Sequence, residues 1–515
     1  MLVAAILSLA YLLLEPSSAD LAAQTFRSDL FASHGFLLWN NDWYGGHYLP
    51  GYSVLFPPLG AALGPRMVGA LAAVTAAGLF SALTRHRYGE RARLANLWFG
   101  AGAAALLFSG RLTFTLGIAI GLGSLLALQR RRPLLAAVLA VLTVCGSPVA
   151  GVFLALAGVA VMLAGDRRGG AFVALPAGAT LGALSLAFPT NGHEPFVFSA
   201  FIGVPLLALA ALFLLPPSER ALRWGVAVYA IAAAVAFALA NPVGGTMARL
   251  GALAGGPVLA LGLAGRRPVA LAAVALPLLY WQWVAPVRDV AKAAGDASLH
   301  SSYYEPLLGE LQRRTQGWPA RVEIPPTENR WEADYIAPHF PLARGWLRQL
   351  ESDDHDLFTD GSLRAATYRA WLRANGVSYV AVADTELDYL AKDEAALIRR
   401  GLPYLDRVWS NRHWRLYRVE HSIGLVSRRG HASRGASGAH LTALGPASFT
   451  LFASHSGTFI VRVRYTGYWT VTSGHACVER HGDWTKIRVR RPGVVNVAAR
   501  FSLDGLVGRD AECSA

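Results

Sequence analysis

Residues 67–284 form a succession of apolar runs, and charged residues occur only in short clusters between those runs. A helix that crosses a bilayer needs about 20 apolar residues, and it satisfies its backbone polar groups internally. Only 16% of the whole chain is charged, against about 25% in soluble domains. The sequence therefore predicts an α-helical polytopic membrane domain. About eleven candidate spans lie at 2–14, 66–84, 94–110, 112–128, 133–147, 149–165, 171–188, 196–215, 223–240, 248–264 and 268–285.

Charged residues become frequent after Pro286, where the chain takes on the composition of a soluble domain. The predicted division is a transmembrane domain at 1–285 with an outer loop at 15–65, a mixed α/β domain at 286–420, a linker at 421–442 and a β-sandwich at 443–515.

Strand patterns support the two C-terminal domains. Val377–Ala383 is a short apolar run that predicts a buried strand, and Trp414–Val419 alternates as a second strand does. Ser, Gly, Arg and His dominate 421–442, which is typical of a linker. Beyond it, short alternating runs separated by turns predict a small β-sandwich.

Arginines concentrate in alternate loops, and cytoplasmic loops are the ones enriched in Lys and Arg. The rich set holds Arg85, Arg87, Arg91, Arg93, Arg130, Arg131, Arg132, Arg167, Arg168, Arg220, Arg223, Arg266 and Arg267, whereas the poor set holds Arg27, Arg66, Arg111 and Arg249. This predicts a multi-pass plasma-membrane protein with a cytoplasmic N-terminus and an extracytoplasmic C-terminal domain. The net charge of +14 then reflects topology, and no nucleic acid is expected as a partner. A retained first helix is favoured, while cleavage after 17–19 stays an open alternative.

The outer loop carries the candidate chemistry. Asp20, Gln24 and Arg27 follow one another at spacings of four and three, so a helix would place them on one face. Further along stand aromatic, amide and acidic residues that suit the binding of a sugar or a lipid headgroup: Trp39, Asn40, Asp42, Trp43 and His47. Two plainer interpretations stay open. Asp20 could cap a helix, and Trp and Tyr favour the membrane interface on physical grounds alone.

The sequence resembles the C-type membrane glycosyltransferases, the GT-C superfamily. An acidic residue after the first helix, a long outer loop, about a dozen helices and an outer C-terminal domain make up that layout. Residues 35–59 look like a motif of uncharacterised bacterial members and of the related six-pyruvoyl-tetrahydropterin-synthase-like membrane family, and residues 371–382 and 405–419 look like the segment that follows the membrane part in those proteins.

That resemblance implies transfer of a hexose or pentose, with inversion, from a polyprenyl-phosphate donor to a cell-envelope glycan, lipid or protein. Asp20 would be the general base for the acceptor hydroxyl. Arg27, Arg111 and Arg249 would hold the donor phosphate, although each could also be a snorkelling topology anchor. His193 and Glu194, in a turn of their own, are weaker candidates.

The sequence also allows expectations about a metal cofactor and about a disulfide. Many relatives have two acids after the first helix, whereas Leu21 follows Asp20 here. The missing second acid argues against a metal-binding role, and a divalent cation stays an open alternative as cofactor. Cys477 and Cys513 are candidates for a disulfide in an extracytoplasmic domain.

Two other functions remain possible on sequence grounds. One is a lipid or glycan transporter or flippase. Coupled transporters usually place ionisable residues within the membrane, whereas every acidic residue of 67–284 lies in a predicted loop, which argues against this function. The other is a non-catalytic envelope scaffold that has the same fold.

Overall fold

The computed structural model describes residues 1–189, 192–354, 356–428 and 438–506. The chain divides into two compact units. The first unit contains Met1–Gly35 and Pro50–Ala294, and the second contains Phe36–Leu49 and the chain from Gly295 onward. Part of the predicted outer loop thus belongs to the second unit.

The first unit is helical. Its helices are α1 (Leu2–Leu14), α2 (Ala19–His34), α3 (Phe56–Leu63), α4 (Pro65–Tyr88), α5 (Ala92–Phe108), α6 (Leu112–Gln129), α7 (Pro133–Gly146), α8 (Pro148–Ala164), α9 (Arg167–Ala187), α10 (Phe198–Phe201), α11 (Gly203–Leu214), α12 (Arg220–Ala238), α13 (Ala248–Leu263) and α14 (Pro268–Ala293).

Proline and short polar residues set several of these boundaries. A proline opens α4, α7, α8 and α14, where its missing N–H would lack a helical partner in any case. Asp166 caps α9, because its carboxylate accepts a hydrogen bond of 2.8 Å from the backbone N–H of Gly169. These signals separate apolar runs that would otherwise read as one long helix.

Within the described residues, six helical stretches are long and apolar enough to cross a membrane. A seventh arises if α1 and α2, which meet at a bend of 78°, form one broken span. Shorter apolar helices lie at Pro133–Gly146, Pro148–Ala164 and Phe198–Leu214. The first unit is therefore the membrane part of the protein, with about six candidate spans, and the count of eleven stays a prediction.

The boundary predicted at 285 lies inside α14. This helix continues to Ala293 and contains Pro277 and Pro286. Proline removes one helical hydrogen bond, but a helix can continue through it. The rise in charge after Pro286 therefore marks a change along one helix, and the first unit ends at Ala294.

The second unit is rich in strands. It contains β1 (Trp39–Asn40), β2 (His47–Tyr48), α15 (Ser301–Thr315), β3 (Arg321–Glu323), α16 (Glu332–Tyr335), α17 (Arg348–Asp354), α18 (Ala365–Ala374), β4 (Val377–Ala383), α19 (Lys392–Arg399), β5 (Leu405–Ser410), β6 (Trp414–Val419), β7 (Val426–Arg428), β8 (Ala439–Gly445), β9 (Ser448–Ala453), β10 (Gly457–Arg464), β11 (Trp469–Ser473), β12 (Ala476–His481), β13 (Trp484–Val489), β14 (Gly493–Ala499) and α20 (Leu503–Leu506).

One four-stranded sheet has the order β3-β4-β6-β5. Its first pair is parallel and the other two pairs are antiparallel. Strands β4 and β6 match the two strands predicted from the sequence, so that prediction is confirmed. β4 is buried along nearly its whole length, as its apolar composition predicts, whereas β6 alternates between buried and more exposed residues.

Two further four-stranded sheets, β12-β13-β10-β7 and β11-β14-β9-β8, are antiparallel throughout. Their inward side chains form one core, which includes Phe449, Phe459 and Ile487. The segment predicted as a linker is partly strand, since β7 lies in it and β8 begins in it at Ala439. The Ser- and Gly-rich composition did not reveal β7 because its partner, β10, lies farther along the sequence.

Candidate functional site

Asp20 lies in the first turn of α2, where the helix dipole favours a carboxylate. The side chains of Gln24 and Arg27 follow on the same face, as the spacing predicted. Both reach Tyr52. The Nε2 of Gln24 lies 3.3 Å from the Tyr52 hydroxyl, and the Arg27 guanidinium lies 4.0 Å from the centre of the Tyr52 ring. Asp20 stays partly exposed, whereas Gln24 and Arg27 are buried.

Tyr52 is held in place by the break between α7 and α8. The Ser53 hydroxyl donates to the carbonyl of Gly146 at 2.8 Å, and the backbone N–H of Val54 donates to the carbonyl of Cys145 at 2.8 Å. Burial raises the pKa of the Tyr52 phenol, Arg27 lowers it, and the nearby charge of Asp20 raises it. Tyr52 therefore stays protonated, and its phenol lies within the electrostatic influence of both Asp20 and Arg27.

The turn between α5 and α6 lies directly against Asp20. It is a Schellman motif, in which the N–H groups of Gly110 and Arg111 donate to the carbonyls of Leu107 and Leu106. Gly110 has a φ of +67°, and a Cβ on it would lie 3.1 Å from the Cβ of Asp20 and 2.2 Å from the Oγ of Ser18. A glycine is thus required both by the backbone conformation and by the close approach of α2.

Gln24 joins α2 to this turn. Its Nε2 donates to the carbonyl oxygen of Gly110 at 2.6 Å. Since Arg111 follows Gly110 directly, this bond fixes the turn that carries the arginine relative to the helix that carries Asp20.

Arg111 lies among several charged groups. Its pKa is lowered to about 10, first by burial and next by Arg249, while Asp20 and Asp289 raise it. The positive charge of Arg288 also lowers the pKa of Arg111. The protein therefore brings Asp20, Arg111 and Arg249 into one electrostatic neighbourhood, and all three side chains are partly exposed.

Cations outnumber carboxylates in this cluster, which we call the Asp20 cluster: Asp20, Arg27, Arg111, Arg249, Arg288 and Asp289. Repulsion from the positive charge of Arg249 disfavours the charged form of Arg111. An anion placed between them would remove that repulsion. The cluster can thus hold an anionic group close to a carboxylate that can accept a proton.

The aromatic part of the loop has a different position from the one predicted. Trp39, Asn40, Asp42, Trp43 and His47 are all buried in the second unit, with 0% to 8% of their surface exposed. Trp39 belongs to the core of the antiparallel sheets, and the indole N–H of Trp43 donates to the carbonyl of Ala333 at 3.0 Å. The expectation of an open sugar-binding face is corrected, because a fully buried indole has no free face on which a sugar could stack.

Backbone pairing explains why this segment is buried. The N–H of Leu342 donates to the carbonyl of Asp42 at 2.7 Å, and the N–H of Asn41 donates to the carbonyl of Pro446 at 2.7 Å. The Tyr44 hydroxyl donates to the carbonyl of Gly345 at 2.9 Å. Residues 36–49, which we call the loop insert, thus complete the second unit.

Asp42 is the loop insert's buried acid. Its carboxylate accepts a hydrogen bond of 2.7 Å from the Asn40 amide. Burial raises its pKa to about 7, although the Asn40 bond opposes the shift. Asp42 therefore gives up its proton at a higher pH than an exposed aspartate does.

His193 and Glu194 lie in a turn that packs on another turn of the first unit. The N–H of Glu194 donates to the carbonyl of Asn241 at 3.0 Å, and Gly244 lies against the Glu194 backbone. This contact accounts for the position of Glu194 within the fold. A role in binding for His193 or Glu194 stays a prediction.

A disulfide and a metal site were the remaining expectations from the sequence. Cys477 lies on β12, and Cys513 lies outside the described residues, so their pairing stays a prediction. Across the described ranges, no group of three or more His, Cys, Asp or Glu side chains is arranged to hold a metal ion.

Four members of the site were not predicted from the sequence: Tyr52, Gly110, Arg288 and Asp289. Gly110 left a weak signal, because it stands with Arg111 between two apolar runs. Tyr52 lies far from Asp20 in sequence, and Asp289 follows the last apolar run, so neither could be joined to Asp20 without the helix packing.

No family model and no curated protein matches the chain. Solved structures of the oligosaccharyltransferase AglB from Archaeoglobus fulgidus are similar to it at low levels. The enzyme in complex with an inhibitory peptide and a dolichol-phosphate has 12% identity and a TM-score of 0.43, covering 72% of this chain and 66% of that one. The apo form has 13% identity and a TM-score of 0.46, covering 74% and 69%. This chain therefore spans about two thirds of AglB, and its function has to be argued from its own site.

Proposed function

We propose that the protein is an inverting membrane glycosyltransferase. It moves a sugar from a polyprenyl-phosphate donor to a cell-envelope acceptor, on the side of the membrane where the Asp20 cluster lies. The N-terminus would be cytoplasmic and that side extracytoplasmic, as the arginine distribution predicts. The observation that carries the proposal is the close approach of Asp20 to the α5–α6 turn that carries Arg111, with the charge of Arg249 acting on the same arginine.

The proposed step is a single displacement. Asp20 accepts the proton of the acceptor hydroxyl while the hydroxyl oxygen forms a bond to the anomeric carbon. The bond from that carbon to the phosphate oxygen breaks, and the lipid phosphate leaves with the bonding electron pair. Arg111 and Arg249 stabilise the added negative charge on the phosphate. Attack opposite the leaving group inverts the anomeric centre.

The position of the cluster favours a lipid-linked donor over a soluble one. Arg111 stands between α5 and α6, and Arg249 stands in the first turn of α13. Both flank helices that are long and apolar enough to span a bilayer. A polyprenyl-phosphate keeps its chain in the lipid and its phosphate at the interface, which is the depth expected for guanidinium groups at the ends of membrane-spanning helices.

The proposal predicts that Asp20→Asn abolishes most of the transfer. The full-length protein would be reconstituted in vesicles with radiolabelled polyprenyl-phosphate sugars and a cell-envelope extract as acceptor. A positioned general base contributes about 10²- to 10⁴-fold, so label transfer should fall by that factor in the variant. Asp29→Asn is the matched control, since Asp29 is an exposed acid on the same helix.

Equal transfer by the Asp20→Asn and Asp29→Asn proteins would refute the assignment of the base. Movement of the labelled donor across the vesicle membrane without any transfer would refute the enzyme itself and favour the transporter alternative.

A further inference from the structure

The first unit contains a large cavity that the proposed reaction does not use. Its volume is about 690 Å³, which lies within the usual range of about 300 to 1,000 Å³ for ligand cavities. Helices α4, α6, α8, α12 and α13 line most of it. Nearly all the lining side chains are apolar, such as Leu122, Phe153 and Val258.

Charged groups line this cavity at one end only. They are Arg87, Arg131 and Asp166, and the neutral polar groups Tyr88 and Gln129 accompany them. Tyr229 and Gly251 line the cavity farther from these charged groups. Its occupant should therefore be an amphiphile, with an apolar body and one polar head.

The charge at this mouth is positive. Arg87 is held in place by Glu219, at 2.8 Å, and the same carboxylate accepts a bond from Tyr88 at 2.7 Å. Asp166 is engaged in capping α9. Among the described residues, Arg131 and its neighbours Arg130 and Arg132 form no ion pair. An anionic head would find an uncompensated guanidinium here.

The mouth is remote from the Asp20 cluster. Arg111 precedes the first residue of α6, and Arg131 follows its end. A helix of 18 residues is about 27 Å long at 1.5 Å per residue. The cationic mouth and the candidate catalytic site therefore lie at opposite ends of the same helix.

We propose that this cavity binds an anionic glycerophospholipid of the surrounding membrane. Its acyl chains would fill the apolar interior, and its phosphate would lie between Arg87 and Arg131. Basic pockets between membrane helices are a known setting for anionic lipid headgroups. The site is independent of glycosyl transfer and would hold a structural or regulatory lipid.

Binding of radiolabelled phosphatidylglycerol to the full-length protein in detergent tests the proposal. Unlabelled phosphatidylglycerol should compete, and phosphatidylcholine should compete more weakly. Arg131→Gln should weaken binding about fivefold, the effect expected for one arginine near an anionic headgroup. Arg132→Gln is the matched control, because Arg132 carries the same charge but does not line the cavity.

A second pair of variants tests the interior. A Cβ on Gly225, which lines the cavity, would meet only the Ala160 methyl at 3.9 Å, so Gly225→Leu would fill space that the lipid needs. Binding should be lost. Gly182→Leu is the control, since Gly182 is exposed with nothing near its Cβ position.

Three results would overturn the proposal. One is equal binding by the Arg131→Gln and Arg132→Gln proteins. Another is unchanged binding after Gly225→Leu. The third is stronger competition by a polyprenyl phosphate than by phosphatidylglycerol, which would identify the cavity as a site for an isoprenoid chain.

Discussion

Asp20 is partly exposed and lies in the first turn of a helix, so a substrate can reach its carboxylate, which the helix dipole favours. Arg111 is its complement. The pKa of Arg111 falls only to about 10, which leaves the side chain charged at neutral pH. One residue can thus accept a proton while the other holds an anion under the same conditions.

Buried acids in the second unit should make the protein's stability depend on pH. Burial raises the pKa of both Asp42 and Glu332 to about 7. Because these folded-state values exceed the unfolded ones, the stabilisation is complete below pH ~4 and is lost as the pH rises through about 7. For Asp42 the loss is on the order of 4 kcal/mol at most.

We therefore expect Asp42→Asn to flatten this dependence. The unfolding temperature of the full chain in detergent, followed by tryptophan fluorescence, should fall between pH 4.5 and 7.5 in the wild type and fall less in the variant. Asp504→Asn, at an exposed position, should leave the wild-type slope unchanged. Parallel slopes for the wild type and Asp42→Asn would contradict the assignment.

At the scale of single elements, the α5–α6 turn decides where Asp20 and Arg111 stand. Its hydrogen bonds end α5, and the Gln24 side chain attaches α2 to it. The positive φ of Gly110 and the close approach of Ser18 allow no side chain at that position.

Gly110→Ala should displace α2 and lower the rate of transfer by up to about 10²-fold, the typical effect of moving a catalytic group by about 1 Å. Gly123→Ala is the control, because its Cβ would make ordinary contacts with Leu139 at 3.6 Å and Leu79 at 3.9 Å. Vesicle transfer assays compare the two variants. Wild-type activity in the Gly110→Ala protein would show that the turn does not position the site.

At the scale of the whole molecule, the second unit is not a continuous stretch of chain. The loop insert supplies Trp39 to the core and pairs its backbone with Leu342 and Pro446. Loss of a buried tryptophan side chain costs about 3 to 5 kcal/mol. A chain that begins at Gly295 should therefore lack a substantial part of the stability of this unit.

We predict that a fragment starting at Gly295 unfolds without cooperativity, and that fusion of residues 36–49 ahead of it through a flexible linker restores a cooperative transition. Circular dichroism during heating distinguishes the two. The same fusion with Trp39→Ala and Trp43→Ala should fail to restore it. A cooperative transition in the unfused fragment would contradict this account.

The sequence predicted the helices and strands better than it predicted which residues pack against them. The apolar runs and the β4 and β6 strands were visible because local composition and periodicity determine them. The shared face of Asp20, Gln24 and Arg27 was visible for the same reason. The burial of Trp43 was not, since tryptophans, amides and glycines make up both sugar-binding surfaces and tightly packed cores.

Long-range packing accounts for the other differences. Tyr52 and Gly110 come from separate segments, and only the folded chain brings them to Asp20. The strands of the predicted linker escaped notice because β7 pairs with the distant strand β10.

The central claim is that Asp20 is the base and Arg111 the phosphate ligand of one reaction. The most direct test is to measure how each variant changes kcat and the KM for the donor separately. With a polyprenyl-phosphate sugar that the wild type accepts, Asp20→Asn should lower kcat by about 10²- to 10⁴-fold and leave the KM for the donor nearly unchanged. Arg111→Gln should raise that KM as well as lower kcat, because it removes a cation that holds the phosphate before and during the reaction. An Asp20→Asn protein with wild-type kcat, or an Arg111→Gln protein with wild-type kcat and KM, would contradict the account.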